Sequence, residues 1–271
     1  SFHLAYSKFV KPNYGMILNI SNDHIDWHGS MKNYINSKLK IFSLQDKNNF
    51  AFIDNKSLLK KYKKKKFLGK LVYLNSNNYK KIKNRIKNNY LNSKVNIQNM
   101  SFVHAISKKL GIRDKYFVNS LKTFKGLPHR YEIFFKKNNK TFINDSKATS
   151  FQASKFALEG NKNIFWIVGG VPKIRDKFKL DKIKQNIIKT YIIGNHMKTF
   201  RNHLMGEVKF ELSRTIKNAI ISISRDIKNI VNKKITVLLS PASASYDQFK
   251  NFEDRGNKFK KLVKSYARKY F

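Results

Sequence analysis

Residues 144–150, Asn-Asp-Ser-Lys-Ala-Thr-Ser, gather a carboxylate (Asp145), a cation (Lys147) and hydroxyls (Ser146, Thr149) within one short stretch. They follow the extended run 140–143, so the groups collect where a strand should end, which is where open α/β sheets bind their ligands. Asp145 suits sugar hydroxyls, Lys147 an anionic substrate, and the hydroxyls orientation. Three further stretches of the same half carry related chemistry. Leu127-Pro-His-Arg-Tyr-Glu132 contains Arg130, whose planar fork binds phosphate or carboxylate in two-pronged fashion, although a surface Arg at a hinge explains it equally well. Gly169-Gly-Val-Pro-Lys173 follows an apolar run; the glycines permit close backbone approach and Lys173 could neutralise a ligand, but a diglycine turn is a weak signal and no Gly-x-Gly-x-x-Gly fingerprint is present. Residues 240–256, with Ser245, Tyr246 and Phe252 among them, place small residues and hydroxyls after another apolar run, where serines capping a helix are the plainer explanation.

In the first half, Asn22-Asp-His-Ile-Asp26 puts Asp23, His24 and Asp26 after an apolar segment. Carboxylate and imidazole there suit a divalent ion. A turn whose Asp and Asn side chains serve local hydrogen bonds explains the same residues more simply. His28 is a further candidate, and Lys38 is by itself one solvated lysine among many.

The elements that must position these residues alternate. Residues 15–20 read as a buried strand, after which Ser30 caps a helix over 31–42 with Tyr34, Ile35, Leu39 and Phe42 at helical spacing. Runs 50–53 and 71–74 read as strands, separated by a Lys-rich solvated face at 60–66, and 99–110 and 114–124 read as helices. Gly126-Leu-Pro128 marks a boundary between domains 1–126 and 127–271. Beyond it, strands at 141–143, 164–168, 190–193 and 235–239 alternate with helices near 152–158, 213–227 and 257–270. That alternation predicts an α/β fold with a mostly parallel sheet and right-handed crossovers.

Fifty-seven Lys+Arg against 16 Asp+Glu give a net charge of +41 over 271 residues. Such a charge attracts polyanions, so a basic nucleic-acid-binding module is a competing reading. The basic residues are mostly Lys, are spread along the chain and accompany many Asn and Ile, all with AT-rich codons, so genomic base composition accounts for much of the charge. The absence of Cys excludes disulfides and thiolate metal sites and fits an intracellular protein. No run of about 18 apolar residues predicts a membrane span. The first residues carry no signal-peptide pattern and no initiating Met, and the chain reads as though cut from something longer.

Taken together, 18–26 (Leu-Asn-Ile-Ser-Asn-Asp-His-Ile-Asp), 127–130 (Leu-Pro-His-Arg), 143–149 (Ile-Asn-Asp-Ser-Lys-Ala-Thr) and 239–256 (Leu-Ser-Pro-Ala-Ser-Ala-Ser-x-Asp-Gln-Phe-Lys-Asn-Phe-Glu-x-Arg-Gly) resemble the Mur ligase family, in its D-glutamate-adding branch. The resemblance spans essentially the whole chain, and its last two blocks are the most specific. It implies the remainder of a P-loop-type central ATPase domain followed by a Rossmann-like C-terminal domain with a mostly parallel sheet. It also implies a monomeric cytoplasmic enzyme of peptidoglycan precursor synthesis, with no specific nucleic acid and no membrane insertion. The implied reaction uses ATP and Mg²⁺ to activate UDP-N-acetylmuramoyl-L-alanine as an acyl phosphate, which D-glutamate then attacks; another Mur-type amino acid is the alternative. By motif position, His24 resembles a Mg²⁺ ligand and Lys38 the family's carbamylated lysine, whose carbamate supports metal and phosphate. Asn99 resembles the adenine-contacting residue, and Arg130 and Asp145 the groups holding phosphate and ribose. Lys147, Thr149, Lys173, Ser245, Tyr246 and Phe252 match the D-glutamate positions. The chain departs from the pattern at Ser93-Lys-Val-Asn96, which replaces a Gly-x-His-Asn, at Ser243, where the family often has Cys, and at Tyr246, where it often has Leu. No Gly-x-x-x-x-Gly-Lys-[Ser/Thr] loop occurs. Ser1 matches the second Ser of a Glu-x-Ser-Ser motif, so the resemblance implies that the phosphate loop, an acidic Mg²⁺ ligand and the uridine-nucleotide domain precede this sequence, leaving the piece inactive alone.

Overall fold

The structure is a computed structural model describing residues 1–20, 24–74, 76–88, 90–91, 94–173, 176, 178–228, 230 and 233–270, with the backbone path alone for 76–78, 94–95 and 267–270. Asp23 and Ser93 lie outside the described residues. The chain divides into two compact units, Ser1–Lys125 and Gly126–Phe271.

The first unit contains α1 (Phe2–Tyr6), β1 (Tyr14–Ile17), α2 (Ile25–His28), α3 (Met31–Leu39), β2 (Phe50–Ile53), α4 (Lys56–Lys64), β3 (Lys70–Tyr73), α5 (Ser76–Lys83), α6 (Lys94–Lys109) and α7 (Asp114–Lys122). Its sheet runs β1-β2-β3, all parallel. Ser30 starts α3 by accepting a hydrogen bond from the Asn33 N–H at 3.1 Å, one of the four orphan donors of a helix start. Leu39, Phe42, Leu58 and Tyr62 bury themselves against Ile17, Ala51 and Ile53 of the strands. Phe117 and Val118 of α7 join Tyr79, Ile82, Ile86, Leu91 and Met100 in a second core. Two expectations need correction here. The first strand stops at Ile17, so Leu18 to Ile20 are not strand, and the helix after Ser30 gives way to a 3₁₀ turn over Lys40–Phe42. The lysines of 60–66 form a solvated face as expected, and Leu58 and Tyr62, four residues apart, anchor the stretch as α4.

The second unit contains β4 (Glu132–Lys137), β5 (Lys140–Asn144), α8 (Phe151–Glu159), β6 (Ile164–Gly169), β7 (Ile187–Ile193), α9 (Met197–Leu204), β8 (Phe210–Arg214), α10 (Ile216–Lys228), β9 (Ile235–Leu239) and α11 (Phe252–Tyr270). Strand order is β4-β5-β9-β6-β7-β8, with β4 antiparallel to β5 and every other pairing parallel. Strands β6 and β9 are buried at every position, as expected for parallel strands covered on both faces. Their alternate residues feed two cores. Phe165, Ile167, Val237 and Leu239 pack with Ile220, Ile223, Phe259 and Val263 of α10 and α11. Trp166, Val168 and Leu238 pack with Phe151, Leu158, Phe200 and Leu204 of α8 and α9. Ser213, expected in a helix, lies in edge strand β8, and α10 starts at Ile216. The last helix starts at Phe252 instead of 257, so residues expected in a loop stand on its first turns. Its cap is Asn251, whose side-chain oxygen accepts from the Asp254 N–H at 2.8 Å, not one of the serines of 240–245.

Candidate functional site

In the second unit the carboxyl ends of the three central strands, β5, β9 and β6, carry 145–150, 240–251 and 170–173. Backbone bonds tie these loops at their roots: the Asp145 N–H donates to the Leu239 carbonyl (2.7 Å) and the Gly169 N–H to Pro241 (2.9 Å). Val171 and Ala244 exchange a pair of bonds at 2.9 and 3.0 Å. Gly170 has φ +134°, and a Cβ built there would lie 2.2 Å from the Ala244 carbonyl oxygen, so the crossing of these two loops requires glycine.

Asp145 is 8 % exposed. One oxygen accepts from the Tyr131 N–H (3.0 Å) and the other from the Ser240 hydroxyl (2.7 Å). Burial pushes its carboxyl up to about 7, against the opposing pull of the two hydrogen bonds and of Arg130. Arg130 itself is exposed. It stands on a bent segment in which His129 (φ 62°) and Tyr131 (φ 46°) both occupy the left-handed region, a conformation that costs energy and persists only when neighbours enforce it. The enforcing group is Glu132. Its carboxylate accepts from the His129 N–H (3.0 Å), the Asn144 amide (2.9 Å) and the Lys260 ammonium (2.9 Å). Burial alone would raise the Glu132 carboxyl, but these partners outweigh it and hold it below its ordinary value. His129 is buried and in contact with the Asn144 amide at 2.9 Å, and burial lowers its imidazole pKa.

Lys147 is exposed, with its ammonium 3.7 Å from the centre of the Phe252 ring. The ring face attracts the cation and so positions it. Thr149 and Lys173 are half-buried, Ser245 is buried, and Tyr246 is 76 % exposed. The residue that ties this loop cluster together is Arg255, fully buried on α11. Its guanidinium donates to the Ser146 hydroxyl (3.0 Å), the Ser146 carbonyl (2.9 Å) and the Ser243 carbonyl (3.0 Å), joining the loop after β5 to the loop after β9. Ser146 passes the link on by donating to the Phe252 carbonyl at 2.8 Å. Burial lowers the Arg255 pKa to about 10, with Asp247 opposing, so it stays charged at neutral pH. Arg255, Glu132 and Lys260 were not singled out from sequence. The signal available was the spacing Phe252, Arg255, Gly256, Phe259, Lys260, one face of a helix once the helix is started at Phe252.

In the first unit, His24, His28 and Lys38 surround the ring of Tyr34. The His24 and His28 rings lie 6.1 and 5.3 Å from it, and the Lys38 ammonium 4.9 Å. His24 sits at φ 59°, immediately before α2. Lys38 donates to the Asn19 carbonyl at 3.1 Å. His28 is buried, with burial the first cause of its lowered pKa, and its ring meets the Ser1 hydroxyl at 3.0 Å and the Ser37 hydroxyl at 3.4 Å, which makes it a structural histidine. Asn99, on α6, has its amide 3.4 Å from the Asn96 side-chain oxygen, and Asn96 donates to the Tyr90 carbonyl at 2.8 Å. Among the described residues no three His, Cys, Asp or Glu side chains group as metal ligands. Mg²⁺ usually keeps several waters and is held largely by substrate phosphates, so a single side chain such as His24 would suffice beside them. Lys38, as an ammonium, donates and cannot ligate.

Residues 3–113 match the Mur ligase middle domain. The UDP-N-acetylmuramoylalanine--D-glutamate ligase of Nitrobacter winogradskyi is 30% identical over 98% of this chain and 62% of its own length. The ligase of the same name from Pseudothermotoga lettingae is 33% identical over 97% of this chain and 63% of its own. The chain is thus similar to Mur ligases along nearly its whole length. It spans less than two thirds of those two Mur ligases. Among solved structures, the MurF ligase of Thermotoga maritima in complex with ADP matches with a TM-score of 0.64 at 13% identity, over 94% of this chain and 63% of that one, a likeness of fold. The mostly parallel α/β architecture is thus that of Mur ligases. Among the described residues, no helix is long and apolar enough to cross a membrane.

Proposed function

We propose that this chain takes part in the ATP-dependent joining of D-glutamate to UDP-N-acetylmuramoyl-L-alanine, a step in making the peptidoglycan precursor. In that reaction a substrate carboxylate oxygen attacks the terminal phosphorus of ATP and ADP leaves. The amino group of D-glutamate then attacks the acyl carbon, inorganic phosphate departs, and the nitrogen gives up its proton to form the amide. The observation that carries this reading is the loop cluster at the ends of β5, β6 and β9, where one buried arginine bonds Ser146 and Ser243 and so joins the loop bearing Asp145, Lys147 and Thr149 to the loop bearing Ser245. The names of the relatives support the choice of amino acid.

The roles follow from chemistry. Arg130, held out on its strained turn, suits a phosphate. Asp145 has lone pairs beyond the two already used, enough to accept from ribose hydroxyls, and each bond accepted favours its ionised form. Lys147 and Lys173 suit the two carboxylates of D-glutamate, and Thr149 with Ser245 and Tyr246 would orient it beside the Phe252 ring. In the first unit, Asn99 would contact adenine. Lys38, once neutral, can add CO₂ and become an anion that supports phosphate and metal. Mg²⁺ bound mainly through the phosphates of the nucleotide needs few protein ligands, and His24 would be one of them. We further place the boundary between the central domain and the amino-acid-binding domain at 126/127, and the site of action in the cytoplasm as a monomer.

Phosphate release by the full gene product is the test. It should depend on ATP, on UDP-N-acetylmuramoyl-L-alanine and on D-glutamate together. Release with L-alanine or a diamino acid in place of D-glutamate would reassign the acceptor, and no acceptor-dependent release would overturn the reading.

A further inference from the structure

Between Asp54 and Asp114 the sequence contains no acidic residue at all, while Lys56, Lys60, Lys61, Lys63, Lys64, Lys65 and Lys66 follow one another across α4 and its end. A base composition that favours AT-rich codons accounts for Lys in place of Arg, but not for the absence of Asp and Glu, which the second unit retains throughout. The geometry of α4 concentrates the charge further. Leu58 and Tyr62 face the core, and at about 100° per residue Lys60 lies directly opposite them, flanked by Lys56, Lys63 and Lys64. All of these lysines are exposed. Lys56, Lys60 and Lys64 stand roughly 6 Å apart along the axis, given a rise of about 1.5 Å per residue. Among the described residues none of them enters an ion pair, and the first turn of α4 carries no acid to offset Lys56 at its positive end. Neighbours at i, i+4 of like charge repel. A row of cations so arranged is relieved by a row of anions.

We propose that the solvent face of α4 is a docking surface for the phosphodiester backbone of nucleic acid, read for charge and not for sequence. A membrane surface fits less well, because the apolar side of α4 is consumed by the core and leaves nothing to insert between lipids. The assignment is independent of the ligase reading and survives or fails separately.

The test is fluorescence anisotropy of the protein with labelled single-stranded and duplex oligonucleotides of about 20 nucleotides, between about 50 and 200 mM salt. Binding should persist at physiological salt, be indifferent to sequence, and weaken linearly in log–log form. The variant Lys56→Gln/Lys60→Gln/Lys63→Gln/Lys64→Gln should lose roughly tenfold or more in affinity and reduce the salt slope by about 3–4. A control with the same charge change in the second unit, Lys198→Gln/Lys217→Gln/Lys258→Gln/Lys264→Gln, should stay within about twofold. Glutamine is a good helix former, so α4 is retained, and far-UV circular dichroism verifies it. Equal losses in both variants, or binding that vanishes at physiological salt, would reduce the effect to net charge and overturn the proposal. Tighter, α4-dependent binding to phosphatidylglycerol vesicles than to either oligonucleotide would overturn it in favour of a lipid surface.

Discussion

Asp145 is a carboxyl group kept near its titration point by burial. Its folded pKa of about 7 exceeds the unfolded value of 3.8, so the folded protein binds more protons between those pH values. Stability from this group is therefore complete below about pH 4 and is lost as pH rises through 7, a total of about 4 kcal/mol. The variant Asp145→Asn keeps an acceptor for the Tyr131 N–H and can donate to the Ser240 oxygen without a charge to desolvate. Urea denaturation at pH 5 and pH 8 should show the variant gaining about 2–3 kcal/mol more, relative to the parent, at pH 8 than at pH 5; a gain of the same size at both would mean that Asp145 is not the titrating group. Position at a strand end made Asp145, Lys147 and Thr149 legible in the sequence. Arg255 was not legible as a tie between loops, because an arginine in a helix reads as surface until its burial is known, and its three partners lie 12 or 109 residues away.

Helix α11 acts as the back wall of the loop cluster through Phe252, Arg255, Gly256 and Lys260, one stripe of its first turns. Gly256 is where the helix meets the bent segment: a Cβ there would lie 2.2 Å from the His129 Nδ1 and 2.9 Å from the Asn144 Oδ1. Two effects compete in Gly256→Ala. Helix propensity favours alanine by about 1 kcal/mol. Displacing His129 and Asn144 breaks their mutual contact and loosens the grip of Glu132 on the left-handed turn, at a cost of about 3–4 kcal/mol. Net destabilisation of about 2–3 kcal/mol is expected in urea melts, and a stabilised variant would show that the turn moves aside freely. The sequence gives away the buried strands β6 and β9 because both faces are apolar. It hides β4 and β8, edge strands whose charged residues break the alternation, and it hides the start of α11, where Asn, Glu, Asp and Gly within 251–256 imitate a loop.

Across the molecule, like charges outnumber their counterions by a wide margin, and the compact state bears the repulsion. Salt shortens the reach of that repulsion to about 8–10 Å near physiological strength and about 3 Å at 1 M. The melting temperature should therefore rise by about 3–5 °C between low and high sodium chloride, as followed by scanning calorimetry; a flat response would mean the lysines are already too far apart to interact. Composition made this charge visible, but only the placement of Leu58 and Tyr62 under α4 shows which of it forms a continuous surface.

The two tryptophans fall one to each unit, Trp27 at 42 % exposure and Trp166 fully buried. The indole N–H of Trp166 donates to the Ser240 carbonyl at 2.7 Å, and the hydroxyl of that same residue holds Asp145. The second unit thus contains an intrinsic fluorophore wired through one serine to its most perturbed carboxyl group, with a blue-shifted emission that the wetter indole of the first unit does not share.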